Sequence, residues 1–371
     1  MTASETYLEE RKILPATIAA HHLEFDSAPT AERIIERLGG DILVAGQPLS
    51  HYSAELLWFP HFNSDGAIPS WTARIFPTPV NGPKFLTPKG GNGAPYITPA
   101  VWTIASKADV PLILTEGPCK TLSCIQAGFH AIGLNGVYGA CARDNEDKLI
   151  IHLLLSCFTW PKRSVYLAFD ADITTKFEPR KALLRTFLLL AAQQADVFLI
   201  TSWDVDQAKG IDDFLAKAEN PAQELQLLVK DRTPFLDILG KNTADLRLAE
   251  EELRAVELPR LARTQIVRQV AKAVGIPAKD LLAAIAPQEA NPDASREVNL
   301  VDETTPWDGP VEGTDLFRQI YGWTAADLRR FSQRMKTTES NWPTTSATNL
   351  KHQTLTLPRP SSSCRLSKAL A

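Results

Sequence analysis

From residue 111 to about 217 the apolar positions follow two alternating rhythms. Short β-prone runs (PLILTEG, HAIGLNG, SVYLAFDAD and ADVFLITSW) alternate with segments of helical spacing: PCKTLSCIQAG, residues 146–158, EPRKALLRTFLLLAAQQ and KGIDDFLAKA. Brief continuous apolar runs predict buried strands, and the longer 3.6-periodic stretches predict helices. Gly128 stops the first of these helices. Strands alternating with helices predict an α/β fold, a parallel sheet with helices on its faces. In such a sheet the ligand lies beyond the carboxyl ends of the strands.

The flanking patterns differ. Residues 1–50 predict a mostly helical segment with short apolar stripes such as AERIIERL. Residues 51–110 form a β-rich subdomain, rich in Gly, Pro and aromatics, in which LLWFPHF and SWTARIF flank the turn-rich NSDGAIP, the pattern of a β-hairpin. The α/β region spans 111–222, and residues 223–288 are helical and charged. Within the latter, IVRQVAKAVGIPAKDLLAAI breaks at Gly275 and Pro277 and fits a small helical bundle or a DNA-reading helix. Residues 289–371 read as a polar linker followed by a Ser/Thr/Pro-rich tail with six Lys or Arg after Arg330 and one acid, Glu339. Disorder is expected there.

Composition narrows the classes. A chain of 371 residues, 44% hydrophobic and 22% charged, has the length for two or three globular domains. A net charge of −4 excludes a chain that attracts nucleic acid as a whole, so any such contact needs a local patch. The five cysteines form no CxxC pair and read as reduced, buried thiols. MTASETYLEERK has no apolar core of a signal peptide, and the apolar stretch Ala182–Ile200 is interrupted by Arg185, Gln193, Gln194 and Asp196. A cytoplasmic protein without a membrane partner is expected.

The strand ends carry the chemistry. Glu116 follows PLILT, Asp170 and Asp172 follow SVYLAF, and Asp204 and Asp206 follow VFLITSW, with Lys209, Asp212 and Asp213 just beyond. Two carboxylates at one strand tip repel each other and are costly to bury, so a positive charge is required. A divalent cation, Mg²⁺ (or Mn²⁺), supplies it in phosphoryl chemistry and takes one or two carboxylates plus water and phosphate. Asp170 and Asp172 are the candidate metal ligands, or else a solvated loop pair. One of Asp212 and Asp213 is a candidate third-site ligand, or both match a helix dipole. Glu116 is the candidate general acid/base, or a helix-start carboxylate. Asp204 and Asp206 read as solvated loop.

The order Glu-Gly, then DxD, then a further acidic pair resembles the TOPRIM domain shared by bacterial-type primases, topoisomerases and some nucleases. LILTEGPCKTLSCIQAGFHAIGLNG resembles its first motif, YLAFDAD the DxD motif, and KGIDDFL the third acidic segment of primases. FPHFNSDGAIPSWTARIFPTPVNGPKFLTPKG resembles the basic subdomain that precedes it in bacterial and phage primases. The chain is closest to the TOPRIM-like domain of unknown function of phage, plasmid and mobile-element proteins, often fused to a helicase-type ATPase.

That resemblance implies a DNA replication protein with metal-dependent nucleotidyl transfer, single-stranded DNA and nucleotides as partners, and a replicative helicase as a further candidate partner. A nuclease and a non-catalytic binding module are the alternatives. It assigns nucleotide or template binding to Arg74 and Lys84, and by position to Lys89 and Lys209. In bacterial primases the residue four after the Glu is acidic. Here it is Lys120, a phosphate contact or an ion-pair partner of Glu116. Trp58, Trp71, Phe85 and Tyr96 could stack on bases or fill the hairpin core. No zinc-spaced Cys/His cluster and no GxxxxGK[ST] is found. TTPWDGPVEGTDLFRQIYGW resembles the lead-in to the helicase half of fused relatives and then gives way to the basic tail, as in a truncated or frame-shifted relative from about residue 331.

Overall fold

The computed structural model describes residues 1–286 apart from 41–42, 45–46, 50–53, 80–81, 89–92, 145–146 and 175. The linker and tail expected over 289–371, the helicase-like lead-in and Lys89 lie outside the described residues.

The amino-terminal segment forms helices α1 (Ala3–Glu10), α2 (Pro15–Ala20) and α3 (Ala31–Leu38). It differs from the helical expectation at β1 (Glu24–Asp26), which pairs antiparallel with β4 (Glu55–His61). A small ribbon, β2 (Leu43–Val44) and β3 (Gln47–Pro48), follows α3. The hairpin forms as the pattern predicts: β4 pairs antiparallel with β5 (Ser70–Phe76), and Asn63 Oδ1 accepts from the Asp65 and Ala67 amides to fix the turn. β6 (Phe85–Leu86) completes a four-stranded sheet of order β1-β4-β5-β6. Ile34 and Leu38 of α3 pack with Trp58, Ala73, Ile75 and Leu86 on one face.

After α4 (Pro99–Trp102) comes the α/β region. Its strands are β7 (Leu112–Glu116), β8 (Ala131–Leu134), β11 (Ser164–Ala168) and β12 (Asp196–Leu199), all mutually parallel, with the short antiparallel β13 (Thr233–Pro234) at one edge. The order is β13-β12-β11-β7-β8. From β7 the chain first moves outward to β8 and later returns on the other side of β7 to lay down β11. The reversal falls between β7 and β11, where open α/β sheets bind ligands beyond the carboxyl ends. Thr115 Oγ1 donates to Ala168 O at 2.7 Å and ties these two strand tips together.

Helices α5 (Pro118–Gln126) and α8 (Ile211–Lys217) cover one face, where Cys124, Ala127, Ile211 and Leu215 pack on Ile113, Tyr166 and Ala168. The larger of these side chains, such as Ile113, Ile211 and Leu215, each stabilise the fold by about 1.5–3 kcal/mol when fully buried. The long α7 (Phe177–Ala192) is buried along most of its length. The carboxy-terminal helices α9 (Pro221–Lys230), α10 (Thr243–Ala255), α11 (Arg260–Val274) and α12 (Ala278–Ala284) follow, with α11 ending at Gly275 (φ +79°) and Pro277 opening α12. Arg185 of α7 makes a bidentate pair with the buried Glu252 of α10, at 2.7 and 2.9 Å.

One element differs from the sequence pattern. Residues 146–158 were expected to form a helix, yet they supply strand β10 (Leu149–Ile151), which pairs antiparallel with the preceding β9 (Cys141–Arg143), and only one helical turn, α6 (Leu153–Ser156), follows. An apolar run of this length satisfies either period, and the local turn decides. Asp147 takes φ +62°, Lys148 N–H donates to Asp144 Oδ1, and the hairpin closes. Among the cysteines, Cys119 and Cys124 are buried as expected, but Cys157 is exposed.

The hairpin sheet and the parallel sheet meet at two places. Tyr96 exchanges both backbone hydrogen bonds with Gly133 of β8. A mixed core joins Leu8 of α1, Leu57, Phe59 and Phe76 of the hairpin, and Cys119 and Leu122 of α5. This seam puts the basic hairpin opposite the carboxyl edge of the parallel sheet.

Candidate functional site

Glu116 ends β7, and Gly117 takes φ +81° and ψ 167°, a region that is essentially glycine-only. Helix α5 begins at the next residue, Pro118. The Glu-Gly pair therefore turns strand into helix within one residue and leaves the Glu116 carboxyl at the sheet edge. Asp170 lies just beyond the end of β11, and Asp212 and Asp213 occupy the first turn of α8.

A cavity of about 290 Å³ collects Glu116, Asp170, Asp212 and Asp213 with Arg74, Lys84, Lys120 and Lys209. Eight of the ten candidates named from the sequence thus converge. Asp172 sits in the 3₁₀ turn after Asp170, away from the cavity lining, and pairs with Lys176. Asp204 and Asp206 are exposed, as a solvated loop should be. Of the aromatic candidates, Trp58 and Tyr96 are buried in the core, while Phe85 and Tyr96 also reach the cavity. A larger groove, about 1010 Å³, runs along Phe187, Phe235 and Leu261, but it lies away from these carboxylates.

Among the lining residues that the sequence pattern missed are Tyr7 and Arg11, which belong to the amino-terminal segment. Arg11 Nε donates to Asp212 Oδ2 at 2.9 Å, and its Nη2 lies 3.6 Å from Asp213 Oδ1. The Tyr7 ring sits between two guanidinium groups, 3.9 Å from Arg11 Cζ and 4.0 Å from Arg74 Cζ. A local signal existed. Thr2 and Glu5 form a capping box that starts α1, and a helix starting there places Tyr7 and Arg11, four apart, on one face.

Charges in the cavity are paired internally. Lys120 Nζ donates to Asp170 Oδ1, so its partner is Asp170 and not Glu116 as one reading of the spacing had it. Lys209 Nζ stands 3.5 Å from Asp170 Oδ2, with its side chain 65% exposed. Burial opposes the Lys120 charge, yet Asp170, Asp212 and Glu116 together outweigh it and hold the ammonium above the ordinary lysine range. Burial raises the Glu116 carboxyl above its ordinary value, with Lys120 opposing. It also raises Asp212, against the pull of Lys120 and Arg11. Desolvation likewise pushes the buried His61 imidazole down to about 4, and its Nε2 lies 2.8 Å from Thr72 Oγ1.

These partners decide how well a divalent ion fits. Asp212 Oδ1 is buried and has no hydrogen-bond partner among the described residues. It borders a recess left by the missing side chain of Gly210, where a Cβ would stand 2.6 Å from Asp212 Oδ1, 2.7 Å from Lys120 Cε and 3.3 Å from Asp170 Oδ1. The recess thus offers two carboxylate oxygens, but Lys120 already enters it. Mg²⁺ demands near-octahedral oxygen coordination. Among the described residues no group of three or more His, Cys, Asp or Glu is arranged to hold a metal. The inner recess does not fit a divalent ion.

Comparison with known proteins agrees with this architecture. Residues 101–222 match the family model described as a domain of unknown function (DUF3854). An uncharacterised protein of Picosynechococcus sp. is 32% identical over 143 residues, which cover 36% of this chain and 14% of that protein's length. Three solved structures share the fold at low identity. The Aquifex aeolicus primase (zinc-binding and RNA polymerase domains) has TM-score 0.50 and 16% identity, covering 76% of this chain and 70% of that one. A DNA primase domain from Pseudomonas aeruginosa has TM-score 0.50 and 18% identity, covering 76% and 92%. The RNA polymerase domain of the Mycobacterium tuberculosis primase has TM-score 0.50 and 19% identity, covering 72% and 90%. No helix among the described residues is long and apolar enough to cross a membrane. The chain has a mixed α/β architecture, a parallel sheet flanked by helices, of the kind found in bacterial primase catalytic cores.

Proposed function

We propose that the chain carries out primase-like nucleotidyl transfer on single-stranded DNA, in the replication of a mobile element. One observation carries this reading. On a primase-type fold, Glu116 and Asp170 face the hairpin cations Arg74 and Lys84 across a single cavity at the sheet's reversal point. In this reading Arg74 and Lys84 hold phosphates of nucleotide or template, since each phosphate contact by a cation adds sequence-independent affinity. The amino end of α5 faces the same cavity, and its dipole favours an anion there. Glu116, desolvated at the strand tip, exchanges the proton of the attacking hydroxyl. Lys209, mostly exposed, is free to turn from Asp170 toward an incoming phosphate.

Mg²⁺ (or Mn²⁺) would enter this reading with the nucleotide, and Glu116 or Asp213, the lining carboxylates outside the recess, would hold it. When bound, such an ion neutralises charge on the transferring phosphate. Residues 223–288 are the candidate dock for a replicative helicase in this reading.

A second reading, a nucleic-acid-binding module without catalysis, is favoured by the pairing of Asp170 and Asp212 with basic side chains. One assay separates these from a nuclease. Wild type, Glu116→Gln and Asp170→Asn are incubated with a single-stranded template, labelled nucleoside triphosphates and Mg²⁺ or Mn²⁺, and the products are run on a denaturing gel. Short primers from the wild type alone support the primase reading. Shortened template identifies a nuclease, and retained binding without either product identifies the binding module.

A further inference from the structure

The cavity lining holds five cationic side chains (Arg11, Arg74, Lys84, Lys120 and Lys209) against four carboxylates (Glu116, Asp170, Asp212 and Asp213). A site that depended on resident divalent ions would be expected to show the reverse, an excess of acid awaiting a cation. The arrangement inside the recess is more telling than the count. Lys120 reaches in from α5, its side chain 16% exposed, and donates to Asp170 Oδ1. Its Cε and the unpartnered Asp212 Oδ1 crowd the same point beside Gly210. Asp170, Asp212 and Glu116 are the three carboxylates whose fields favour the Lys120 charge. A Cβ at position 210 would crowd this side chain and both aspartates.

We propose that the Lys120 ammonium is the resident cation of this carboxylate centre, and that the cavity binds the polyphosphate of a nucleoside triphosphate with no metal ion in the recess. The proposal rests on the nucleotide-binding part of the reading above and not on primer synthesis. Lys120 fixes Asp170 and cancels the charge that would otherwise repel phosphate. Arg11 does the same for Asp212 and Asp213. The hairpin cations Arg74 and Lys84 then face an anion across a neutralised wall. Arg74 lines the cavity with its guanidinium stacked 4.0 Å over the Tyr7 ring, which fixes the direction in which it meets such a ligand.

The test uses the full chain and two probes, ATP in EDTA and Mn²⁺ alone. ATP binding is read by calorimetry, and Mn²⁺ binding by loss of its free-ion electron paramagnetic resonance signal. Wild type is expected to bind ATP in EDTA and to take up no stoichiometric Mn²⁺ without nucleotide. Lys120→Met leaves the Asp170 charge uncancelled beside the phosphates and should weaken ATP binding in EDTA by about tenfold or more, a decade being about 1.4 kcal/mol. It should also gain one Mn²⁺ site, which disappears again in Lys120→Met/Asp170→Asn. A residue that merely supported the fold would not create that metal site. Lys120→Arg keeps the charge and controls for folding, so it should show no Mn²⁺ site. Stoichiometric Mn²⁺ uptake by the wild type that Asp170→Asn abolishes would overturn the proposal, and so would wild type that binds ATP only with metal. Should the wild type bind ATP without metal yet make no primers, the proposal stands and the primase reading falls.

Discussion

Gly210→Ala probes the recess without changing any charge. The backbone at Gly210 has φ −114° and ψ 168°, an extended conformation that alanine adopts freely, so the substitution acts only through its added methyl. That methyl would stand 2.6 Å from Asp212 Oδ1 and 2.7 Å from Lys120 Cε, whereas ordinary contacts begin at 3.4 Å. Asp212 Oδ1 must retreat by about 0.8 Å and Lys120 Cε by about 0.7 Å. Asp212 is held on its other oxygen by Arg11 at 2.9 Å, so the more flexible Lys120 yields first and its bond to Asp170 lengthens. Overpacking of this kind costs about 1–3 kcal/mol, and weakening a charge-assisted hydrogen bond costs a similar amount. The end of a lysine moves cheaply, which puts the stability loss near the low end, about 1 kcal/mol in a urea melt. Metal-free ATP binding should fall by about tenfold, since 1.4 kcal/mol is one decade of affinity. A variant that melts and binds ATP like the wild type would refute the crowding of Lys120, Asp170 and Asp212 around this glycine.

Three further outcomes follow from the same geometry. Gly117→Ala meets no atom within 4 Å, so its cost is that of backbone strain at φ +81°, about 1–3 kcal/mol in a urea melt; it should also re-aim Glu116 and depress whichever product the gel assay detects. Arg185→Met strands the buried Glu252, leaving among the described residues only Lys181 Nζ at 3.8 Å, and should destabilise by about 3 kcal/mol, while Arg185→Met/Glu252→Leu recovers most of the loss in the same melts. Burial pushes both His61 and His152 down to about 4, so the unfolded chain binds more protons between roughly pH 4 and 6.5 and stability falls as pH drops through that window, by up to about 3 kcal/mol for each. His152 Nδ1 accepts the Leu154 N–H at the start of α6, so His152→Asn, which keeps an acceptor that does not titrate, should flatten the urea midpoint against pH.

Much of this site was legible along the chain because strand periodicity fixes where a strand stops. A carboxylate just past an apolar run must lie at the carboxyl edge, and parallel order brings those edges together. Glu116 and Asp170 needed nothing more, whereas Asp212 and Asp213, in the first turn of α8, were reached through the likeness of KGIDDFL to an acidic primase segment, and Asp172, as near a strand end, stays out of the cavity. The hairpin was legible for a similar reason, since Asn63 to Gly66 closes it locally. Features that depend on distant partners were hidden. Arg11 and Asp212 are 201 positions apart, and nothing in α1 alone announces that contact. The β10 strand was hidden because LIIHLLLS satisfies both periods, and a turn at Asp144–Lys148 chose between them. Lys120 was visible four residues after Glu116, but its choice of Asp170 depends on a strand laid down 50 positions later.

That choice bears on why carboxylates stand at the ends of both β7 and β11. The reversal of strand order between β7 and β11 brings Glu116 and Asp170 side by side whatever else the chain encodes. Such a fold must supply cations to that edge, from solvent or from its own side chains. Here they come from separate elements: Lys120 from α5, Lys209 from the connection before α8, and Arg11 from α1. Side-chain cations differ from metal ions in one decisive respect, because they are tethered and cannot be chelated away. If they neutralise this centre, EDTA should leave nucleotide binding intact while salt weakens it, since contacts between cations and phosphate are screened by ions. A centre built on resident metal would respond in the opposite order, with EDTA abolishing binding before salt had much effect.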